Sequence, residues 1–282
     1  MSIMEKFKLD GKVALVTGCS KGIGFGIAKG LAEAGADIIG VSSTLKKGSE
    51  IEKYVESIGK RFHFFNCDFS KRENTHIFLN DLKKNNLEPN ILLSNAGSLI
   101  RTELSEHTDE HWDRIMEINL SSQFVLAREL SSKMVERGWG KIIFTASILS
   151  YQGGLFVPSY TASKGGIAQL TKALSNELAD KGINVNSIAP GYVVTDITSA
   201  LRQDKNRSAD LMARIPMKRW GTIDDMAGAA VYLASDAKLC KWGATKCRRW
   251  LDGQIITNLS LTPLVFYPSF PSLNKDALDL PS

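Results

Sequence analysis

Apolar residues in this chain fall into short continuous runs, separated by longer stretches in which they recur every three or four positions. The runs predict buried strands, and the recurring positions predict helices with one apolar face. Strands are expected at 13–17, 37–41, 62–66, 91–94, 141–146 and 183–188, with helices near 22–35, 48–59, 73–85, 109–137, 158–181 and 223–235. Strand–helix alternation implies right-handed crossovers and a parallel sheet covered on both faces. The expected class is therefore α/β, a doubly wound parallel sheet in a single domain without internal repeats. Residues 195–218, polar and interrupted by Pro216, are expected to form a mobile lid.

Ligands in such sheets bind beyond the carboxyl ends of the strands. There, after Val13-Ala-Leu-Val16, stands Thr17-Gly18-Cys19-Ser20-Lys21-Gly22-Ile23-Gly24, followed by Phe25, Ile27, Ala28 and Leu31 at helical spacing. Glycines that end a strand and open a helix let backbone N–H groups approach a pyrophosphate, whose charge the helix N-terminus favours. The spacing is Gly-x-x-x-Gly-x-Gly rather than Gly-x-Gly-x-x-Gly, and a plain strand–turn–helix would also produce it. Further along, Tyr160 and Lys164 lie four apart and share a helical face. An ammonium beside a phenol favours the phenolate and lowers the tyrosine pKa from about 10. Such a tyrosine can exchange a proton with a carbonyl oxygen that Ser147 also hydrogen-bonds. Taken alone, the pair reads first as an ordinary helix-surface contact, and only the surrounding signals reverse that.

Together these segments resemble the short-chain dehydrogenases/reductases from about Phe7 to Asp236. The matches are Thr17-Gly-x-x-x-Gly-Ile-Gly24, Asp68, Ser94-Asn-Ala-Gly97, Asn119, Ser147, Tyr160-x-x-x-Lys164 and Pro190-Gly-x-x-x-Thr195. The resemblance implies a Rossmann-like fold and hydride transfer with NAD or NADP. It makes Tyr160 the acid/base and Ser147 the group that orients the carbonyl. Lys164 would hold the nicotinamide ribose and lower the Tyr160 pKa, and Asn119 would anchor a water. Gly18, Ser20, Lys21, Gly22, Ile23 and Gly24 would meet the cofactor phosphates. Asn95, Ala96 and Gly97 would lie under the cofactor, Asp68 near its adenine, and Val193 and Thr195 near its carboxamide. Ser94 stands where the family often has Asn, and it keeps hydrogen-bonding capacity.

Gln152-Gly-Gly-x-x-Val-Pro-Ser-Tyr-Thr-Ala-Ser-Lys164, Ile183–Gly191 and the segments from Arg207 to Gly221 resemble a sugar-acid branch of this family. That implies a small-molecule substrate such as 2-dehydro-3-deoxy-D-gluconate or 2-deoxy-D-gluconate. Its carboxylate calls for a planar bidentate cation. Arg101 is the first candidate, Arg214 or Arg219 the second, and each is equally readable as a solvated surface charge. The second strand ends in Ser42-Ser43-Thr44 with no acidic residue to select NAD. Lys21, Lys46 and Lys47 would instead face a 2′-phosphate, which leans the cofactor towards NADP. The same features suit a 3-oxoacyl-carrier-protein reductase. An inactive nucleotide-binding or pseudogene product is the reading from another class.

The chain of 282 residues, 43% hydrophobic, carries a net charge of +5 that is not gathered into runs, so nothing points to nucleic acid. No apolar run approaches the roughly 20 residues of a membrane span, and residues 1–6 lack a signal peptide's apolar core. A cytoplasmic protein is expected. Cys19, Cys67, Cys240 and Cys247 form no Cys-x-x-Cys pair, and no metal site is indicated. His107 and His111 are read as sharing a helical face at the surface.

After Ala230–Asp236 the family pattern stops. Lys238-Leu-Cys-Lys-Trp-Gly-Ala-Thr-Lys-Cys-Arg-Arg-Trp-Leu-Asp-Gly253 stands where the branch continues Tyr-Val-Asn-Gly and later Val-Asp-Gly-Gly-Trp. Reading residues 239–251 one base later permits that continuation, which points to a frameshift near Lys238. A nucleotide sequence lacking the required codons would refute it. The expected organisation is a catalytic domain over 1–237 and an aberrant, partly disordered tail over 238–282. The homo-oligomer usual in the family is placed in doubt by that tail.

Overall fold

A computed structural model describes residues 2–237 of the chain. The expectations about the tail, its order and its last strand fall on residues 238–282 and lie outside the described residues.

Strands β1 (Val13–Thr17), β2 (Asp37–Val41), β3 (Phe62–Phe65), β4 (Ile91–Ser94), β5 (Gly140–Thr145) and β6 (Ile183–Ile188) form one parallel sheet in the order β3-β2-β1-β4-β5-β6. The chain winds outwards from β1 to β3, then returns across β1 to β4. The order of winding reverses between β1 and β4, the place where α/β sheets open a ligand crevice.

Helices α1 (Gly22–Glu33), α2 (Glu50–Ser57), α3 (Arg72–Lys84), α4 (Asp109–Met116), α5 (Ser122–Arg137), α6 (Pro158–Leu178), α7 (Ser199–Gln203), α8 (Lys205–Arg214) and α9 (Asp224–Ala234) complete the described elements. Alternate residues of each central strand face opposite layers. Ala14, Val16, Ile91 and Leu93 pack under α1, α2 and α9 with Ile27, Leu31, Ile51 and Met226. Leu15 and Leu92 pack on the other side with Phe78, Leu82, Leu126 and Ile167 from α3, α5 and α6. Burial on both faces explains why the strands read as unbroken apolar runs rather than alternating ones.

Three expectations change. The single helix read over 109–137 is α4 and α5 joined by a π turn at Glu117–Ser121. Residues 195–218 are largely helical, with a short 3₁₀ turn at Asp196–Thr198 followed by α7 and α8. His107 and His111 do not share a helix, because Thr108 caps α4 between them and His107 ends the preceding 3₁₀ turn. No described helix is long and apolar enough to cross a membrane.

Candidate active site

The floor of the crevice is set by hydrogen bonds between strand ends. The buried Thr17 hydroxyl at the end of β1 accepts from the backbone N–H groups of Asn95 and Ala96, both at 2.8 Å. Asn95 Nδ2 donates to Thr17 O at 3.2 Å, Thr145 Oγ1 donates to Asn95 Oδ1 at 3.2 Å, and Gln123 Nε2 donates to Ala96 O at 3.0 Å. The segment after β4 is thereby locked to β1, β5 and α5. Thr145 and Gln123 carry no motif of their own and were not foreseen as site residues. Ser94 departs from expectation, since its fully buried hydroxyl finds no partner among the described residues.

The glycine turn is shaped for close approach. Gly18 and Gly22 hold φ of +68° and +60°, a region other residues rarely adopt. A Cβ on Gly24 would stand 2.2 Å from Gly18 O and 2.5 Å from Asn95 Nδ2. Helix α1 starts with no side-chain cap and no acidic residue in its first turn, so its N-terminal donors remain for an anion. These features fit the pyrophosphate of a dinucleotide. Beyond β2, the hydroxyls of Ser20, Ser42 and Thr44 gather within 3.0–3.4 Å of one another, with no carboxylate among them. Lys21 is not with them. It pairs with Asp196 at 2.5 Å and so reaches across to the lid rather than towards a 2′-phosphate. Asp68 accepts from Ser70 N at 3.0 Å and lines a small cavity with Phe65, Cys67 and Asn74. That hydrogen bond is the first cause holding its carboxyl below the usual range.

Asn119, Ser147, Tyr160 and Lys164 converge from three elements, the last two both from α6. Asn119 sits in the π turn, fully buried, a distortion that often marks functional positions. Its Oδ1 accepts from Ser98 N at 2.8 Å, while Nδ2 donates to Ser98 O at 2.9 Å and to Ser163 Oγ at 3.2 Å. Both donors of the side chain are thereby engaged. Ser147 follows β5, and its hydroxyl, which accepts from Leu149 N at 3.1 Å, lies next to the Tyr160 phenol. Lys164 is buried and donates to Thr145 O at 2.6 Å. Its Nζ lies 5.7 Å from the Tyr160 ring centre.

The electrostatics run against one expectation. Burial raises the Tyr160 phenol above its ordinary value, and the neighbouring Ser147 hydroxyl draws it only partly back. Burial also depresses Lys164 from 10.5 to about 8. Desolvation opposes both charged forms here and outweighs the lowering expected of a neighbouring ammonium.

Of the arginines, Arg219 is committed elsewhere, forked onto Asp225 at 2.7 and 2.9 Å. Arg214 is exposed at the end of α8. Arg101 donates to Leu155 O at 2.9 Å and interacts electrostatically with Arg207, in the first turn of α8, and with Tyr192. Burial first, then the like charge of Arg207, lowers its pKa. Among the described residues neither guanidinium pairs with a carboxylate. Arg207 was not foreseen, because only the folded chain brings α8 near residue 101. At the base of this cover Val193 and Gly221 form a parallel bridge, with Val194 N donating to Gly221 O at 2.9 Å and Gly221 N to Tyr192 O at 2.8 Å.

A family model described as short chain dehydrogenase matches residues 12–206. The 2-dehydro-3-deoxy-D-gluconate 5-dehydrogenase of Pseudoalteromonas atlantica is 56% identical over 236 residues, 83% of this chain and 93% of its own length. A 3-oxoacyl-[acyl-carrier-protein] reductase of Escherichia coli is 36% identical over 227 residues, 80% of this chain and 91% of its own length. A gluconate 5-dehydrogenase from Burkholderia cenocepacia, solved in complex with NADP and tartrate, matches with TM-score 0.79 and 32% identity, covering 90% of this chain and 95% of that one.

Proposed function

The chain belongs to the short-chain dehydrogenase family, and from that premise we propose that residues 1–237 carry a sugar-acid dehydrogenase with Tyr160 as its proton-transfer group. The protein is an NAD(P)-dependent oxidoreductase acting on CH–OH groups. Its substrate is the secondary alcohol or ketone of a sugar acid such as 2-dehydro-3-deoxy-D-gluconate. The observation that carries this reading is the placement of Ser147 next to Tyr160, together with Arg101 and Arg207, two arginines that face one another and that no carboxylate neutralises among the described residues.

The nicotinamide, when bound, supplies or accepts the hydride. The protein orients the carbonyl and moves the proton. The Ser147 hydroxyl donates to the carbonyl oxygen, and Tyr160 passes its phenolic proton to that oxygen in reduction. A phenol whose pKa burial keeps high holds that proton at neutral pH, which suits a donor. Lys164 stands behind it as the buried cation that stabilises the phenolate left after transfer. Asn119 joins the Ser98 backbone to α6 through Ser163, holding the Gly97 segment at a fixed distance from Lys164. Arg101 and Arg207 repel one another until a carboxylate lies between them, so the substrate's anionic end completes the cleft. The glycine turn, with Asn95, Ala96 and Gly97 beside it, receives the dinucleotide. Asp68 would meet its adenine end, and Val193 and Thr195 its carboxamide end. The Ser20–Ser42–Thr44 cluster has donors for a 2′-phosphate and no charge to repel it, which favours NADP.

Absorbance of the reduced nicotinamide, followed with purified protein, tests this reading. It crosses 2-dehydro-3-deoxy-D-gluconate, 2-deoxy-D-gluconate and a 3-oxoacyl thioester with each cofactor. Turnover of a sugar acid, faster with NADP, is expected. Turnover confined to the thioester, or none at all, would overturn the assignment.

A further inference from the structure

His107 takes no part in the chemistry above, yet its ring is held on both sides. Nδ1 lies 2.9 Å from the Thr102 hydroxyl, and Nε2 lies 2.9 Å from the Ser159 hydroxyl. Ser159 is fully buried and immediately precedes Tyr160 in the first turn of α6. Water does not reach that hydroxyl, so the imidazole is what satisfies it. A neutral imidazole offers one donor and one acceptor, which suits two hydroxyls that can each play either part.

Two more contacts run beside this one. Arg101 Nη1 donates to Leu155 O at 2.9 Å, and Thr102 N donates to Phe156 O at 3.1 Å. The segment after Gly97 is therefore laced, rung by rung, to the chain that leads into Tyr160. That chain needs holding. Phe156 adopts a left-handed φ of +65°, which a non-glycine residue keeps only where its surroundings over-determine it. Helix α6 opens on Pro158, and Val157 gives it no side-chain cap.

We propose that His107 is a positioning residue that sets the Tyr160 phenol by fastening Ser159 to Thr102. The proposal rests on the reading of Tyr160 as proton donor. It also places Arg101 and Tyr160 on one frame, so a substrate gripped at its carboxylate meets the phenol at a fixed distance. A misplacement of about 1 Å at a reacting centre costs up to roughly a hundredfold in rate.

The test compares His107→Ala with His107→Gln, whose amide restores a donor and an acceptor. The readouts are kcat, the KM values and amide exchange at Thr161, whose N–H closes the first turn of α6 onto Val157 O at 3.0 Å. The alanine variant is expected to lose about tenfold or more in kcat, with cofactor KM unchanged and faster exchange at Thr161. Glutamine should recover most of both. An unchanged kcat in His107→Ala would overturn the proposal. So would a glutamine variant as slow as the alanine one with Thr161 exchanging at the wild-type rate. If the wild-type protein turns over no sugar acid, the functional reading fails. Thr161 exchange then decides the coupling to Ser159 by itself: acceleration in the alanine variant reversed by glutamine supports it, and no acceleration refutes it.

Discussion

At the carboxyl edge of the sheet Thr17, Asn119, Ser147 and Lys164 are all buried and hydrogen-bonded, Thr17 and Asn119 to the segment after β4, Lys164 to β5 and Ser147 within its own turn. In α7 and α8, which cover the same crevice, no residue is buried at all. The floor is held by hydrogen bonds at every group, two at the Thr17 hydroxyl and three at the Asn119 amide. The cover rests on the bridge at its base and on long exposed side chains such as Lys21 and Asp196. The difference divides the labour. Proton transfer needs groups placed to a fraction of an ångström, whereas the choice of substrate is made by residues free to differ without disturbing that placement.

The division breaks if floor and cover variants cost alike. The largest effect is expected at Tyr160→Phe, with kcat falling about a thousandfold while a cofactor titration gives an unchanged Kd. Next is Lys164. Its folded pKa, about 8, lies below its ordinary 10.5, so between those values the unfolded chain binds the proton and the folded chain does not. Burial of the cation therefore destabilises the fold in full below about pH 8, and the penalty fades as pH rises to 10.5. The unfolding free energy of wild type, measured in urea against Lys164→Met, should rise across that window by up to roughly 3 kcal/mol. A flat difference would mean that Lys164 titrates normally. Gly24→Ala, whose Cβ would meet Gly18 O at 2.2 Å, should weaken cofactor binding by about ten- to a hundredfold. Calorimetry with NADP checks it. The smallest effect belongs to the cover. Arg207→Ala should raise the sugar-acid KM about tenfold and leave kcat near wild type. A matching loss with a substrate that lacks the carboxylate would remove the clamp from the account.

The same division governs what could be read from the chain. Strand runs and the glycine turn are short-range signals, and the bounds of β1, β2, β4 and β6 fall at their expected residues. The π turn at Asn119 was hidden because one widened turn barely disturbs the apolar spacing of a long helical stretch. Helices α7 and α8 bury nothing, so they leave no apolar stripe to find. Asp196 as the partner of Lys21 and the nearness of Arg207 to Arg101 depend on segments far apart in sequence. The Tyr160 pKa was misjudged for another reason. A motif shows which charge lies nearby but not how much water has been removed from both groups.

The bridge between Val193 and Gly221 has a consequence for how this chain can change. It makes the cover a loop closed on itself, whose two ends stay paired whatever lies between them. Doubling the length of such a loop costs only about 0.6 kcal/mol in closure entropy. Residues 195–220 therefore form an exchangeable cassette. Another member's segment, longer or shorter, can be grafted between the same two anchors to recruit a new acid or none, while the sheet keeps its register and Tyr160 keeps its place.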